Sequence, residues 1–193
     1  MSDHPRDQKV FNMPIVATDP LEARGTTPDP SKPNEPRILW LPEPKVTIPT
    51  DQYINKKENP GTHLETIDGL GITGKAVTVM PIVEKTYTNT IKDAPYVDYK
   101  VNLAEGSNTI TVKCLPTFRL YQGFKLQYAI SVNDDEPQVV NVDTKEDSKD
   151  WSANVLRGYS IGKTVHQVSK TGAATVRIYM LDPSLVLSQL EVF

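Results

Sequence analysis

Apolar and polar residues alternate with a period of two along much of this chain and almost nowhere follow the period of a helix. The clearest run is Lys125 to Val142. Leu126, Tyr128, Ile130 and Val132 alternate with Lys125, Gln127, Ala129 and Ser131, so one face is apolar and the other mostly polar, as in a half-buried strand. Asn133-Asp134-Asp135-Glu136 stops the strand and Pro137 opens a second run, Gln138 to Val142. The pair predicts an antiparallel hairpin around a short polar loop.

Other segments carry the same signal. Val46-Thr47-Ile48 predicts a short strand ending near Tyr53, Lys56 to Gly61 a loop, and His63 to Ile67 another strand. Asp68 to Gly74, DGLGITG, contains a G-x-G-x-x-G match. The following Ala76 to Pro81 reads as a strand rather than a helix, so the glycines predict tight turns and not a dinucleotide site. Tyr96 to Leu103 and Asn108 to Leu115 flank Ala104-Glu105-Gly106-Ser107 and predict a second hairpin. Thr164 to Val168 and Ala174 to Met180 flank Lys170-Thr171-Gly172 and predict a third. Pro116 to Gly123 is a loop rich in aromatic and basic groups. Trp151 to Leu156 is open between a short helical turn and an irregular strand. At the end, Val186, Ser188, Leu190 and Val192 fall on one face of Leu185 to Phe193. Many short strands at this spacing predict an all-β fold, an antiparallel two-sheet β-sandwich of jelly-roll type.

Composition changes this picture at the N-terminus. Residues 1–49 hold 10 of the 16 prolines, and TTPDPSKPNEP, Thr26 to Pro36, sustains neither helix nor ladder because proline lacks the N–H and fixes φ. Residues 1–37 are therefore expected as an extended leader or linker and residues 38–193 as the sandwich. The apolar Ile38-Leu39-Trp40-Leu41 is expected at the domain edge or as a contact for another partner. A net charge of -3 and a pI near 5.6 give no basic field for nucleic acid or for an anionic membrane. There is no apolar run of about 18 residues and no signal-peptide pattern near Met1. Cys114 is the single cysteine; it shares a strand face with Ile110 and Val112 and is expected to be a buried apolar residue.

Catalytic patterns are sparse. Asp134, Asp135 and Glu136 lie in one loop, where acids ordinarily act as solvated turn formers rather than as a hydrolytic pair. Asp134, Asp135 or Asp143 offer oxygens for a structural calcium, without the spacing of a dedicated calcium loop. His63 and His166 are far apart and lack ligand-spaced partners for zinc. Gly158 to Gly162, GYSIG, resembles a nucleophile elbow only loosely, with no strong strand before its serine.

Several motifs together resemble the C-terminal module of glycoside hydrolase family 115. They are Asp68-Gly69-Leu70-Gly71-Ile72-Thr73-Gly74-Lys75-Ala76-Val77-Thr78, then Leu126 to Asn141, then Trp151, then Tyr179-Met180-Leu181-Asp182-Pro183-Ser184-Leu185-Val186-Leu187. The resemblance runs from about Trp40 to Phe193, and Val10-Phe11-Asn12-Met13-Pro14 looks like the segment entering such a module from a preceding domain. It implies a galactose-binding-like sandwich lying after the barrel that carries a xylan α-1,2-glucuronidase site. A (β/α)8 barrel needs roughly 250 residues, so this chain is expected to be a non-catalytic accessory portion of a secreted or periplasmic enzyme, truncated or cut from it. Its implied partners are the missing catalytic domains, a second copy in a homodimer, or a plant polysaccharide such as glucuronoxylan. Where related carbohydrate-binding modules carry an Ala-Glu pair, this chain has Thr50-Asp51-Gln52-Tyr53, a shorter acid at a calcium-ligand position. No cofactor is expected. Sugar rings stack their C–H faces on aromatic side chains, so the candidate carbohydrate-binding residues are Phe118, Tyr121, Trp151 and Tyr87. Arg119 joins them as a partner for a uronate carboxylate.

Overall fold

The computed structural model describes residues 43–193 apart from Asp134. The leader assigned to residues 1–37, the Ile38 to Leu41 segment and the Val10 to Pro14 motif lie outside the described residues. The strands are β1 (Val46–Pro49), β2 (Asn55–Lys57), β3 (His63–Asp68), β4 (Lys75–Met80), β5 (Tyr96–Leu103), β6 (Gly106–Cys114), β7 (Gln127–Val132), β8 (Gln138–Asn141), β9 (Ser160–Val168), β10 (Gly172–Met180) and β11 (Val186–Val192). One helix, α1 (Lys149–Arg157), and a 3-10 turn at Ile91–Asp93 complete them. They build two antiparallel sheets, one ordered β3-β4-β11-β6-β9 with β1 also along β11, the other ordered β2-β5-β10-β7-β8. The expected all-β sandwich is what the chain forms.

The strands pack because their inward positions are apolar. Tyr99, Leu103, Ile110, Tyr128, Ile130, Ile178, Leu187 and Leu190 are among the fully buried side chains that fill the space between the sheets. Burying each such side chain is worth about 1.5–3 kcal/mol. Cys114 is fully buried among them, and burial pushes its thiol well above its usual range. The folded protein should therefore resist a thiol reagent that labels the unfolded chain stoichiometrically. Rapid labelling in native buffer, followed by absorbance, would contradict this burial.

The β7–β8 hairpin forms as the alternation predicts, with Ile130 opposite Gln138 and Gln127 opposite Asn141. The polar outer face expected for β7 does not: every residue from Gln127 to Val132 is buried. Residues 81–95 fold over that outer face, and Ala129 joins Tyr87, Ala94, Tyr179 and Leu181 in a second apolar cluster. Lys56 and Lys57, read as loop, add a short edge strand along β5.

The other two predicted hairpins are not hairpins. β5 and β6 lie in different sheets, as do β9 and β10. β5 pairs with β10 while β6 pairs with β9, so one antiparallel ribbon folds across the sandwich in the jelly-roll manner. Asn108 closes the β5–β6 corner: its amide donates to the carbonyls of Ala104 and Gly106, at 2.8 and 3.2 Å, and its oxygen accepts from the Ala104 N–H. The two corners are tied together where the Glu105 N–H donates to Thr171 Oγ1 at 2.8 Å.

β11 also departs from strict alternation. Leu187 stands opposite Cys114 and Gln189 opposite Lys113, which leaves Ser188 as the extra residue of a bulge. The bulge reverses the parity, so Leu187, Leu190 and Val192 all enter the core and Ser188 does not continue their face. Instead Ser188 Oγ accepts the Ile72 N–H at 2.8 Å. A side chain on Gly71 (φ +78°) would meet that oxygen at 2.7 Å, so the glycine-rich β3–β4 turn is seated on the bulge.

Candidate functional site

Two segments carry four of the five sequence-predicted binding residues, the loop after β6 and helix α1. Trp151 to Leu156, open in the sequence, belongs to the helix. Ser148 caps its N-terminus by accepting the Trp151 N–H at 3.1 Å, and Gly158 ends it in a left-handed conformation at φ +79°. Both signals are in the sequence, a serine before Lys149-Asp150-Trp151 and a glycine after Arg157. Arg157 closes the last turn by donating to Asn154 Oδ1 at 2.6 Å and to the Tyr159 carbonyl at 2.8 Å.

The helix brings Trp151 onto Phe118. The two rings stack with centroids 5.8 Å apart and planes 29° from parallel. Phe118 is 44% exposed, whereas the Trp151 indole nitrogen is buried with no hydrogen-bond partner among the described residues. Arg119 reaches Asp143 instead of standing free, Nη1 to Oδ2 at 3.2 Å. Tyr121 pairs with Phe124 at 5.5 Å, with the rings tilted by 58°. The loop is anchored to the chain before β11: Ser184 Oγ donates to the Phe118 carbonyl and Thr117 Oγ1 to the Ser184 carbonyl, both at 2.8 Å.

Tyr87 lies elsewhere. It is buried in the second cluster, its hydroxyl accepts from Asn59 Nδ2 at 2.6 Å, and Lys85 Nζ sits 4.6 Å from its ring centre. With Val83, Met180, Leu181 and Asp182 it lines a hollow of about 20 Å3, room for a single water and not for a sugar ring. Burial raises the carboxyl of Asp182, partly offset by its bonds to Thr86 and to the Gln127 N–H.

Sequence reasoning passed over three exposed aliphatic residues of the same loop and helix. Leu120 is 57% exposed, Val155 45% and Leu156 87%. Val155 lies one helical turn beyond Trp151, so the two share a face. Val155 thus adjoins the Trp151 side of the helix, whereas Leu156, five residues on from Trp151, falls about 140° around it. Exposure of Leu156 had a sequence signal, since in a helix it falls off the stripe that Trp151 and Val155 share at i, i+4.

Among the described residues, no three His, Cys, Asp or Glu side chains gather to hold a metal ion. Of the calcium candidates, Asp143 is paired with Arg119, Asp135 is exposed, and Asp134 is outside the described residues. Asp51 lies 3.5 Å from Lys75 Nζ. No described helix is long and apolar enough to cross a membrane.

Two antiparallel sheets in a folded ribbon, with a loop-and-helix surface at one margin, define a jelly-roll β-sandwich module. Residues 44–192 match the Glycosyl hydrolase family 115 C-terminal domain, and the chain belongs to that family. In structure it is similar to a family GH115 4-O-methyl-alpha-glucuronidase, BtGH115A, described as having specificity for decorated arabinogalactans. The TM-score is 0.64 at 22% identity, covering 82% of this chain and 19% of that enzyme. The chain therefore spans about a fifth of that relative's length. It is also similar to the C-terminal CBM6 of LamC from Zobellia galactanivorans, with a TM-score of 0.48 and 10% identity, covering 76% of this chain and 97% of that one. A family 35 carbohydrate binding module from Clostridium thermocellum gives 0.48 and 16%, covering 77% and 96%. No curated protein matches the chain.

Proposed function

We propose that this domain is a non-catalytic accessory module of a secreted family 115 glucuronidase, serving plant polysaccharide breakdown by packing against the catalytic portion of the enzyme. The supporting observation is the exposure of three aliphatic side chains on the loop and helix that carry the Phe118–Trp151 stack. Leu120, Val155 and Leu156 offer neither a flat ring for a sugar nor a hydrogen bond for its hydroxyls; such side chains gain only from apolar contact, which another protein surface supplies. A homodimer through the same face is the other protein contact this reading admits, and sedimentation of the chain alone would reveal it.

In a co-purification with the catalytic portion of a family 115 enzyme, Leu120→Glu and Leu156→Glu are each expected to weaken capture about tenfold or more, because a buried carboxylate at an apolar contact is unpaired. Thermal stability should stay within about 0.5 kcal/mol, since both positions are exposed. Unchanged capture by both variants would refute the docking role.

A second reading, an autonomous carbohydrate-binding module, is favoured by one observation, the half-exposed Phe118 ring beside Arg119. Calorimetry of the chain with glucuronoxylan and with decorated arabinogalactan separates the two. Heat of binding that disappears in Phe118→Ala would support the second reading, and no heat at millimolar glycan would end it.

A further inference from the structure

Where β8 lies beside β9, the two sheets are joined by a side chain rather than by a ladder. Gln138, the first residue of β8, donates from Nε2 to the Val165 carbonyl at 2.8 Å and accepts the Val165 N–H at Oε1 at 3.4 Å. Its carboxamide thus takes the place of a strand partner on the outer edge of β9. The same Nε2 lies 3.4 Å from Nδ1 of His166, whose Nε2 lies 3.0 Å from Thr164 Oγ1. His166 is 2% exposed.

These contacts assign the tautomer of the ring. Val165 dictates which way the Gln138 amide faces, nitrogen toward its carbonyl and oxygen toward its N–H. His166 Nδ1 therefore meets a donor and must be an acceptor, which places the ring proton on Nε2, toward the Thr164 hydroxyl. A second proton at Nδ1 would set donor against donor. Turning the amide over relieves that clash but presents Oε1 to the Val165 carbonyl and Nε2 to its N–H, and both edge bonds are lost.

We propose that Gln138, Val165 and His166 form a proton-released latch, holding β8 against β9 when the imidazole is neutral and freeing that edge of the sandwich on acidification. The groups around the ring are Gln138 on β8, Thr164 on β9, Asn108 opposite it on β6, and Asp135 in the turn before β8. Burial disfavours the proton and prevails over Asp135, the one charged group of this set among the described residues, so the ring binds its proton less readily than a free imidazole. The sign follows. Above about 6.5 the ring is neutral in folded and unfolded chains alike; below it the unfolded chain takes the proton first, and stability falls until the pH passes the lower folded value.

The test is hydrogen exchange at single amides of the whole chain, read by NMR from about pH 7.5 to about pH 4, alongside the His166 ring signals. Corrected for intrinsic exchange, the Val165 amide should lose about tenfold or more of its protection as the ring titrates, with a midpoint below about 6.5. The Thr164 and His166 amides face β6 by strand alternation and should keep theirs through the same step. Gln138→Ala should leave Val165 unprotected at every pH, with those two amides unchanged. A Val165 amide that keeps its protection while the ring titrates would overturn the latch, as would a ring still neutral at the acid end. Both readings come from the unsubstituted protein, so neither depends on a variant that folds.

Discussion

Gly162→Ala is expected to destabilise the domain by about 3 kcal/mol, the upper part of the range for forcing extra atoms into a packed core. Tyr128 rises from β7 across the whole interior, and its hydroxyl ends over Gly162 on β9 of the opposite sheet. A Cβ at residue 162 would overlap that hydroxyl and would meet Val140 Cγ1 at 2.5 Å and Tyr128 Cζ at 2.7 Å. Tyr128 cannot swing aside, because it is fully buried in a close-packed layer. Its hydroxyl has no hydrogen-bond partner among the described residues, and burial raises it well above the usual phenol range. Tyr128→Phe should accordingly be neutral or stabilising by about 1 kcal/mol, the opposite of the usual outcome for a buried tyrosine. Combined with Gly162→Ala it should recover part of the loss, because it removes the atom in closest conflict. Denaturant midpoints at constant slope measure all three. A Gly162→Ala protein within about 0.5 kcal/mol of the parent would mean that the strands have room to part.

The second large effect is expected at Asp98. Its Oδ1 accepts Arg177 Nε at 2.7 Å, and its Oδ2 accepts Arg177 Nη2 at 3.0 Å and Asn55 Nδ2 at 2.9 Å. This forked pair joins β5 to β10, and Asn55 adds β2 to them. The guanidinium also lies 3.8 Å from the centre of the Tyr96 ring, with Tyr179 at 5.8 Å. Asp98→Ala leaves a cation without its counter-charge. The expected loss is about 2–3 kcal/mol, below the full cost of orphaning a buried ion because the Arg177 side chain remains 30% exposed. Removing both members, Asp98→Ala with Arg177→Ala, should cost less than the two single losses added together. Among the described residues the three-residue β2 pairs only with β5, so in Asp98→Ala its amides should exchange first. Equal losses in the double variant and in the sum would show that the pair contributes nothing beyond its separate side chains.

The candidate surface was legible in the sequence by composition and not by contact. Phe118, Arg119, Tyr121 and Trp151 stand out as aromatic and basic residues in segments without strand alternation, and the structure stacks Phe118 on Trp151. It also engages Arg119 with Asp143, 24 residues away, and turns Tyr121 to Phe124. Tyr87 carries the same composition signal but is drawn inward, because residues 81–95 close over β7. Whether an aromatic ring faces water or a neighbouring loop depends on what the rest of the chain lays over it.

Period-two alternation was enough to settle the class of fold, the place of Cys114 among core residues, the β7–β8 hairpin and the strand that follows the glycine-rich turn. These follow from each residue's own transfer preference and from the geometry of a pleated chain, which act within a few residues. The sheet to which each strand belongs was decided in three dimensions. The Asn108 and Thr171 corners look like hairpin turns locally, yet they carry the chain from one layer to the other, since β6 gains its partners from β9 and β11 and not from β5. The bulge at Ser188, the burial of both faces of β7 and the capture of His166 beneath Gln138 arose in the same way. Each depends on a group brought close by packing from a distant part of the chain, and alternation along a strand carries no information about that group.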